Sequence, residues 1–164
     1  MCLLIDASGS MSGLAVGIAA VAGASVVLAA DARLSPGILA FSEEITVLQA
    51  QGTRRPPGEL VTELVRLRGH GVTNLAGALR AASTQLATAP AEERVVLLLS
   101  DCLPTTGGDP AQALRGISRL HVLCPLPSAE SELAATALAR EGGGMSLPLR
   151  RLADVAPALT CLLS

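Results

Sequence analysis

Lysine, tryptophan and tyrosine are missing from this chain, and Phe41 is its one aromatic residue. It therefore lacks the stacking platforms that single-strand nucleic-acid binders use. It also lacks a basic footprint. Twelve arginines against fourteen acidic residues leave a formal net charge of −2, which argues against non-specific nucleic-acid binding. The exclusive use of Arg, alongside abundant Ala, reads as codon bias rather than function. No Gly-x-x-x-x-Gly-Lys-Ser/Thr loop is present, which excludes ATP binding of that kind. Cys2, Cys102, Cys124 and Cys161 show no metal-ligand spacing among themselves or with His. Cys2 and Cys124 fall in apolar runs and read as buried thiols, so a reducing, cytoplasmic setting is expected.

Charge is also missing from residues 11–30. The stretch is long enough to raise the question of a membrane span. It is rich in Gly, Ala and Ser, however, and the first basic residue is Arg33, with Asp6 upstream. That does not fit a signal peptide. A buried helix against a sheet is the expectation, with no membrane segment.

Half of the 164 residues are apolar, so the core is built from Leu, Val, Ile and Ala. The length suits one domain, residues 1–164. Because the first strand begins almost at Met1, a longer parent protein stays an open alternative. Short apolar strands alternate with helices, the α/β pattern. Strands are expected over Cys2–Ile5, Gly37–Phe41, Ile45–Leu48, Val95–Leu99 and Leu120–Leu123, with a short last one over Met145–Leu147. Helices are expected over Ser12–Ala30, Glu59–Leu67, a segment closing near Thr88, Asp109–Ser118, Ala129–Glu141 and Leu152–Leu163. The second and third strands sit close enough to pair as a hairpin, giving one antiparallel edge strand. The fold class is thus α/β: a Rossmann-like, doubly wound, mostly parallel sheet of about six strands with helices on both faces.

Asp6-Ala7-Ser8-Gly9-Ser10 follows the first apolar run directly. One carboxylate and two hydroxyls on alternate residues can be aimed at one point by a loop that folds back. Oxygen-only ligands suit a hard cation such as Mg²⁺. Two later loops reinforce this. Gly69-His70-Gly71-Val72-Thr73-Asn74-Leu75 leads into an Ala/Leu helix, and the fourth strand ends in Ser100-Asp101. Loops at the carboxyl ends of parallel strands gather in one crevice.

These residues resemble a von Willebrand factor A (VWA) domain carrying a metal-ion-dependent adhesion site. The family's Asp-x-Ser-x-Ser motif matches Asp6, Ser8 and Ser10, its second-loop Thr matches Thr73, and its third-loop Asp matches Asp101. The resemblance implies that Ser8 and Ser10 bind Mg²⁺ (or Mn²⁺ or Ca²⁺) directly. It implies that Asp6 and Asp101 do so directly or through water, and that Thr73 switches between the two. One position is left for a partner's Asp or Glu. One departure stands out: many relatives have Gly after the third-loop Asp, where this chain has Cys102.

Plainer roles exist for each residue. Asp6, Ser8 and Ser10 could form a turn capping the first helix, Thr73 could cap the third helix, and Asp101 could be a strand-end carboxylate. Cys102 could be a redox-sensitive modifier of the loop. His70 reads as a solvated loop residue and His121 as a packed or edge residue.

The function implied is non-enzymatic: a Mg²⁺-dependent protein-binding module. Asp-Ala-Ser-Gly-Ser-Met resembles the motif of intracellular bacterial relatives, namely magnesium-chelatase subunits and accessory proteins of MoxR-type AAA+ ATPases. By that analogy the partner is such an ATPase or its substrate, and the role is assembly or remodelling. Extracellular adhesion is the alternative. A Mg²⁺-dependent phosphohydrolase is a weaker rival, because Ser8 stands where a second carboxylate is wanted and the chain has no Lys.

Overall fold

The computed structural model describes residues 1–30, 35–90 and 92–163. Arg33, the first basic residue, lies outside them. Six strands form one sheet: β1 (Cys2–Asp6), β2 (Gly37–Phe41), β3 (Ile45–Gln49), β4 (Val95–Leu99), β5 (Arg119–Pro125) and β6 (Ser146–Leu149). Their order is β3-β2-β1-β4-β5-β6, and every pairing is parallel except β2 with β3. The Rossmann-like reading therefore holds, antiparallel edge included.

Side chains alternate across the sheet, as the strand period of two requires. Leu3 and Ile5 of β1 join the core beneath α1 (Leu14–Ala29), α2 (Pro57–Val65) and α5 (Val155–Leu163). Cys2 and Leu4 face the opposite core, beneath α3 (Leu75–Ala87) and α4 (Ala129–Glu141). Central strands buried on both sides need continuous apolar runs, and Leu97, Leu98 and Leu99 of β4 supply one. The uncharged segment after β1 is α1, packed on α2, α5 and the sheet. No described helix is long and apolar enough to cross a membrane.

Three helix expectations need correction. The first helix starts at Leu14 rather than Ser12, because a 3-10 turn at Gly9–Met11 intervenes and Gly13, at φ +68°, redirects the chain. The segment after Asp109 forms only a 3-10 turn, Pro110–Leu114. Asp109 does cap it, accepting from the Ala111 N–H, but Arg115 leaves the helical region and Gly116 turns left-handed, so nothing propagates. The last helix likewise opens as a 3-10 turn at Leu152–Asp154 before α5. The final strand is shifted to Ser146–Leu149, which places Pro148 on an edge strand, where a missing N–H is tolerated.

The chain leaves β1 toward β2 and β3, then returns across the sheet to β4 on the other side of β1. β1 and β4 are the neighbours at which the winding reverses. In open α/β sheets the ligand crevice lies at that switch point, beyond the carboxyl ends of the strands. Asp6 is the last residue of β1, and Asp101 follows β4 by two residues.

Candidate metal centre

The loop after β1 turns back at once. The Ser8 N–H donates to Asp6 Oδ1 at 2.9 Å, and the Ser8 and Ser10 hydroxyls lie 3.2 Å apart. Both hydroxyls therefore share one side of the turn. None of the three side chains caps α1, whose N-cap Gly13 receives no side-chain bond. That removes the helix-cap explanation for this motif.

The second loop is sewn to the first by backbone hydrogen bonds, from His70 N–H to the Ala7 carbonyl and from Gly9 N–H to the Gly71 carbonyl, both at 3.0 Å. Gly69 sits where this contact is closest. A Cβ there would lie 2.6 Å from Ser12 N and 2.7 Å from the Ser8 carbonyl oxygen, so only glycine fits. Thr73 follows, nearly buried at 2 % exposure. It is not the cap of α3. Asn74 is, accepting from the Gly77 N–H at 3.0 Å, which leaves the Thr73 hydroxyl without that task. Thr73 is clamped to the third loop instead. Its N–H donates to Thr105 Oγ1 at 2.9 Å, and its carbonyl accepts from the Thr105 and Thr106 N–H groups.

In the third loop, Ser100 Oγ donates to Asp6 Oδ2 at 2.5 Å and accepts from the Cys102 N–H at 3.0 Å. Asp101 Oδ1 accepts from the Leu103 N–H at 3.1 Å. Cys102 adopts φ +56°, the left-handed region that favours the glycine of many relatives. The loop thus keeps the turn while carrying a side chain. That thiol is buried, and burial pushes its pKa well up, so it is a poor nucleophile.

Sequence reasoning missed Ser100 and Thr105. Ser100 could have been noticed as a hydroxyl directly behind a buried strand. Thr105 left no signal, since its role depends on a contact across 32 residues. His70 is exposed, with Nδ1 2.9 Å from the Arg68 carbonyl, and His121 is buried within β5.

Electrostatics single out this crevice. Asp6 is fully buried and Asp101 is 8 % exposed, yet among the described residues neither forms an ion pair. Burial pushes the Asp6 carboxyl up to about 6. The charge of Asp101 adds to the rise, while the hydrogen bonds from Ser100 and Ser8 oppose it. A buried carboxylate without a countercharge costs several kcal/mol. Such a site takes up either a proton or a cation. Among the described residues no three His, Cys, Asp or Glu side chains gather as a metal group. The donors present are two carboxylates and hydroxyls, an all-oxygen set that fits a divalent cation.

A Rossmann-ordered sheet with a carboxylate and hydroxyl crevice at its switch point defines the von Willebrand factor A class. The chain belongs to the family of VWA domain containing CoxE-like proteins, whose model matches residues 1–157. No curated protein matches it. Among solved structures it is similar to an aerotolerance-related membrane protein from Bacteroides fragilis, at 16% identity and TM-score 0.76, covering 99% of this chain and 96% of that one. It is also similar to the manganese-loaded TRAP protein of Plasmodium vivax, at 20% identity and TM-score 0.71, covering 94% and 69%. A von Willebrand factor type A protein from Catenulispora acidiphila matches at 22% identity and TM-score 0.70, covering 96% and 40%. At these identities the likeness establishes the fold.

Proposed function

We propose that residues 1–164 act as one non-enzymatic, divalent-cation-dependent protein-binding module. Asp6, Ser8, Ser10, Thr73 and Asp101 would hold the ion, Mg²⁺ or else Mn²⁺ or Ca²⁺. When bound, the ion would supply a divalent positive charge whose coordination these residues leave incomplete, so an acidic side chain of a partner protein could take a remaining position. The observation that carries this reading is the buried, unpaired carboxylate of Asp6 at the switch point, with Asp101 beside it. Membership of the CoxE-like family supports it, and so does the manganese-loaded state of the Plasmodium relative.

The chain's own residues divide the work. Ser100 and the Ser8 N–H orient the Asp6 carboxylate, and Thr105 fixes the backbone of Thr73. The partner is a MoxR-type AAA+ ATPase or a substrate of one, in the cytoplasm, and the outcome is assembly or remodelling of another protein. This part rests on the family resemblance. A pull-down from cell extract with Mg²⁺ and with chelator tests the role. A partner released by chelator is expected. One retained equally in both conditions would count against metal bridging.

A further inference from the structure

Beside the metal crevice, toward the β2–β3 hairpin, lies a cavity of about 290 Å³. Ala7, His70 and Gly71 form its near wall, the same backbone that sews the second loop to the Ser8 loop. Ala40, Leu48 and Leu67 give the floor its apolar part, with Thr46 among them. Glu43 and Glu44 stand exposed on the rim. Ion pairs among the described residues engage Glu59, Glu63, Glu93, Glu132 and Asp154, but not these two. Two unanswered carboxylates thus border a partly apolar pocket next to the metal ligands.

A second metal ion does not explain the arrangement, because Glu43, Glu44 and His70 do not converge as a metal group. An uncharged ligand would leave both carboxylates unanswered. A cation on an aliphatic stem satisfies floor and rim together, since Lys and Arg lay their methylenes on apolar surface while the charge stays at the edge. The volume lies near the lower bound, about 300 Å³, of small-molecule sites, which suits one long side chain.

We propose that this cavity receives a Lys or Arg of the same partner segment whose Asp or Glu reaches the metal. The partner is then recognised by an acidic residue and a basic residue a short distance apart. The acidic half rests on the metal reading above; the basic half does not. Charge of opposite sign on adjacent subsites fixes the direction in which the segment lies, and it rejects segments that are acidic throughout.

Fluorescein-labelled peptides, each with one Glu and with Arg, Lys, Leu or Ala at varied spacing from it, provide the test by anisotropy. They are titrated with Mg²⁺ and with EDTA against the wild type and the Glu43→Gln/Glu44→Gln variant. At one or more spacings the Arg and Lys peptides are expected to bind about threefold to tenfold more tightly than the Leu and Ala peptides. The variant should lose that preference while keeping its Mn²⁺ affinity and its affinity for the Ala peptides. A basic preference that is absent, or that survives in the variant, overturns the assignment of the cavity, and so does a panel that shows no binding at all. A basic preference that is lost in the variant yet indifferent to EDTA overturns the metal reading and leaves the cavity assignment standing.

Discussion

Ser100 Oγ and Asp6 Oδ2 meet at 2.5 Å across 94 residues of sequence. The bond joins the ends of β1 and β4, the two strands at which the winding of the sheet reverses. It also holds one oxygen of a buried carboxylate while the Ser8 N–H holds the other. Ser100 is a positioning residue in this arrangement, and its hydroxyl accepts the Cys102 N–H as well.

Replacing Ser100 with Ala removes a hydrogen bond to a charged group, worth about 1.5–3 kcal/mol. The metal-free variant is expected to unfold at lower urea, and its Mn²⁺ affinity should fall roughly tenfold. Urea melts and calorimetry check both. Unchanged affinity would show that Ser100 does not orient Asp6 for the metal.

Asp6 makes the metal-free fold less stable as pH rises. Its folded pKa of about 6 lies above the 3.8 of an ordinary aspartate. Between those values the folded chain keeps a proton that the unfolded chain releases, so stability falls as pH climbs through that window. Above pH 6 the penalty is constant, at about 3 kcal/mol. Asp6→Asn should therefore be more stable than the wild type at pH 7 in EDTA, with the gap closing toward pH 4. Urea melts across that range measure the gap, and a gap that widens on acidification would reverse the assignment.

Cys102 at φ +56° should tolerate Ala and reject Val. A β-branched residue is an outlier in the left-handed region. Cys102→Val is expected to cost about 1–2 kcal/mol more than Cys102→Ala in thermal or urea unfolding. Equal stabilities would mean that the loop takes another path.

The buried thiols should also be chemically silent. Burial raises the pKa of Cys2 to about 12 and that of Cys124 to about 11. Iodoacetamide at pH 8 is expected to label Cys161, which is exposed, and to spare Cys2, Cys102 and Cys124 until the protein unfolds. Mass spectrometry of the native and denatured protein reads this directly. Rapid labelling of native Cys102 would revive a redox role for the third loop.

The strands were legible because burial on both faces leaves its mark in the residues themselves. Gly37–Phe41 and Val95–Leu99 are uninterrupted apolar runs and form β2 and β4 with the bounds expected. The helix Ala129–Glu141 was equally plain, bounded by the Ser128 cap and the Gly142 stop. What misled was local chemistry without tertiary support. Asp109-Pro110 carries a genuine start signal, yet only a 3-10 turn forms before Gly116 turns left-handed. The five metal-ligand candidates were legible as a motif set. The hydroxyls of Ser100 and Thr105 were not, because their partners lie on other loops, and spacing along the chain cannot show which loops will touch.

Calorimetric titration of the wild type and Asp6→Asn with Mn²⁺ tests the metal centre most directly, since the amide keeps the shape of the carboxylate and removes its charge. One ion bound per wild-type chain and none by the folded variant is the expected result. Equal binding by both proteins would contradict a site built on Asp6.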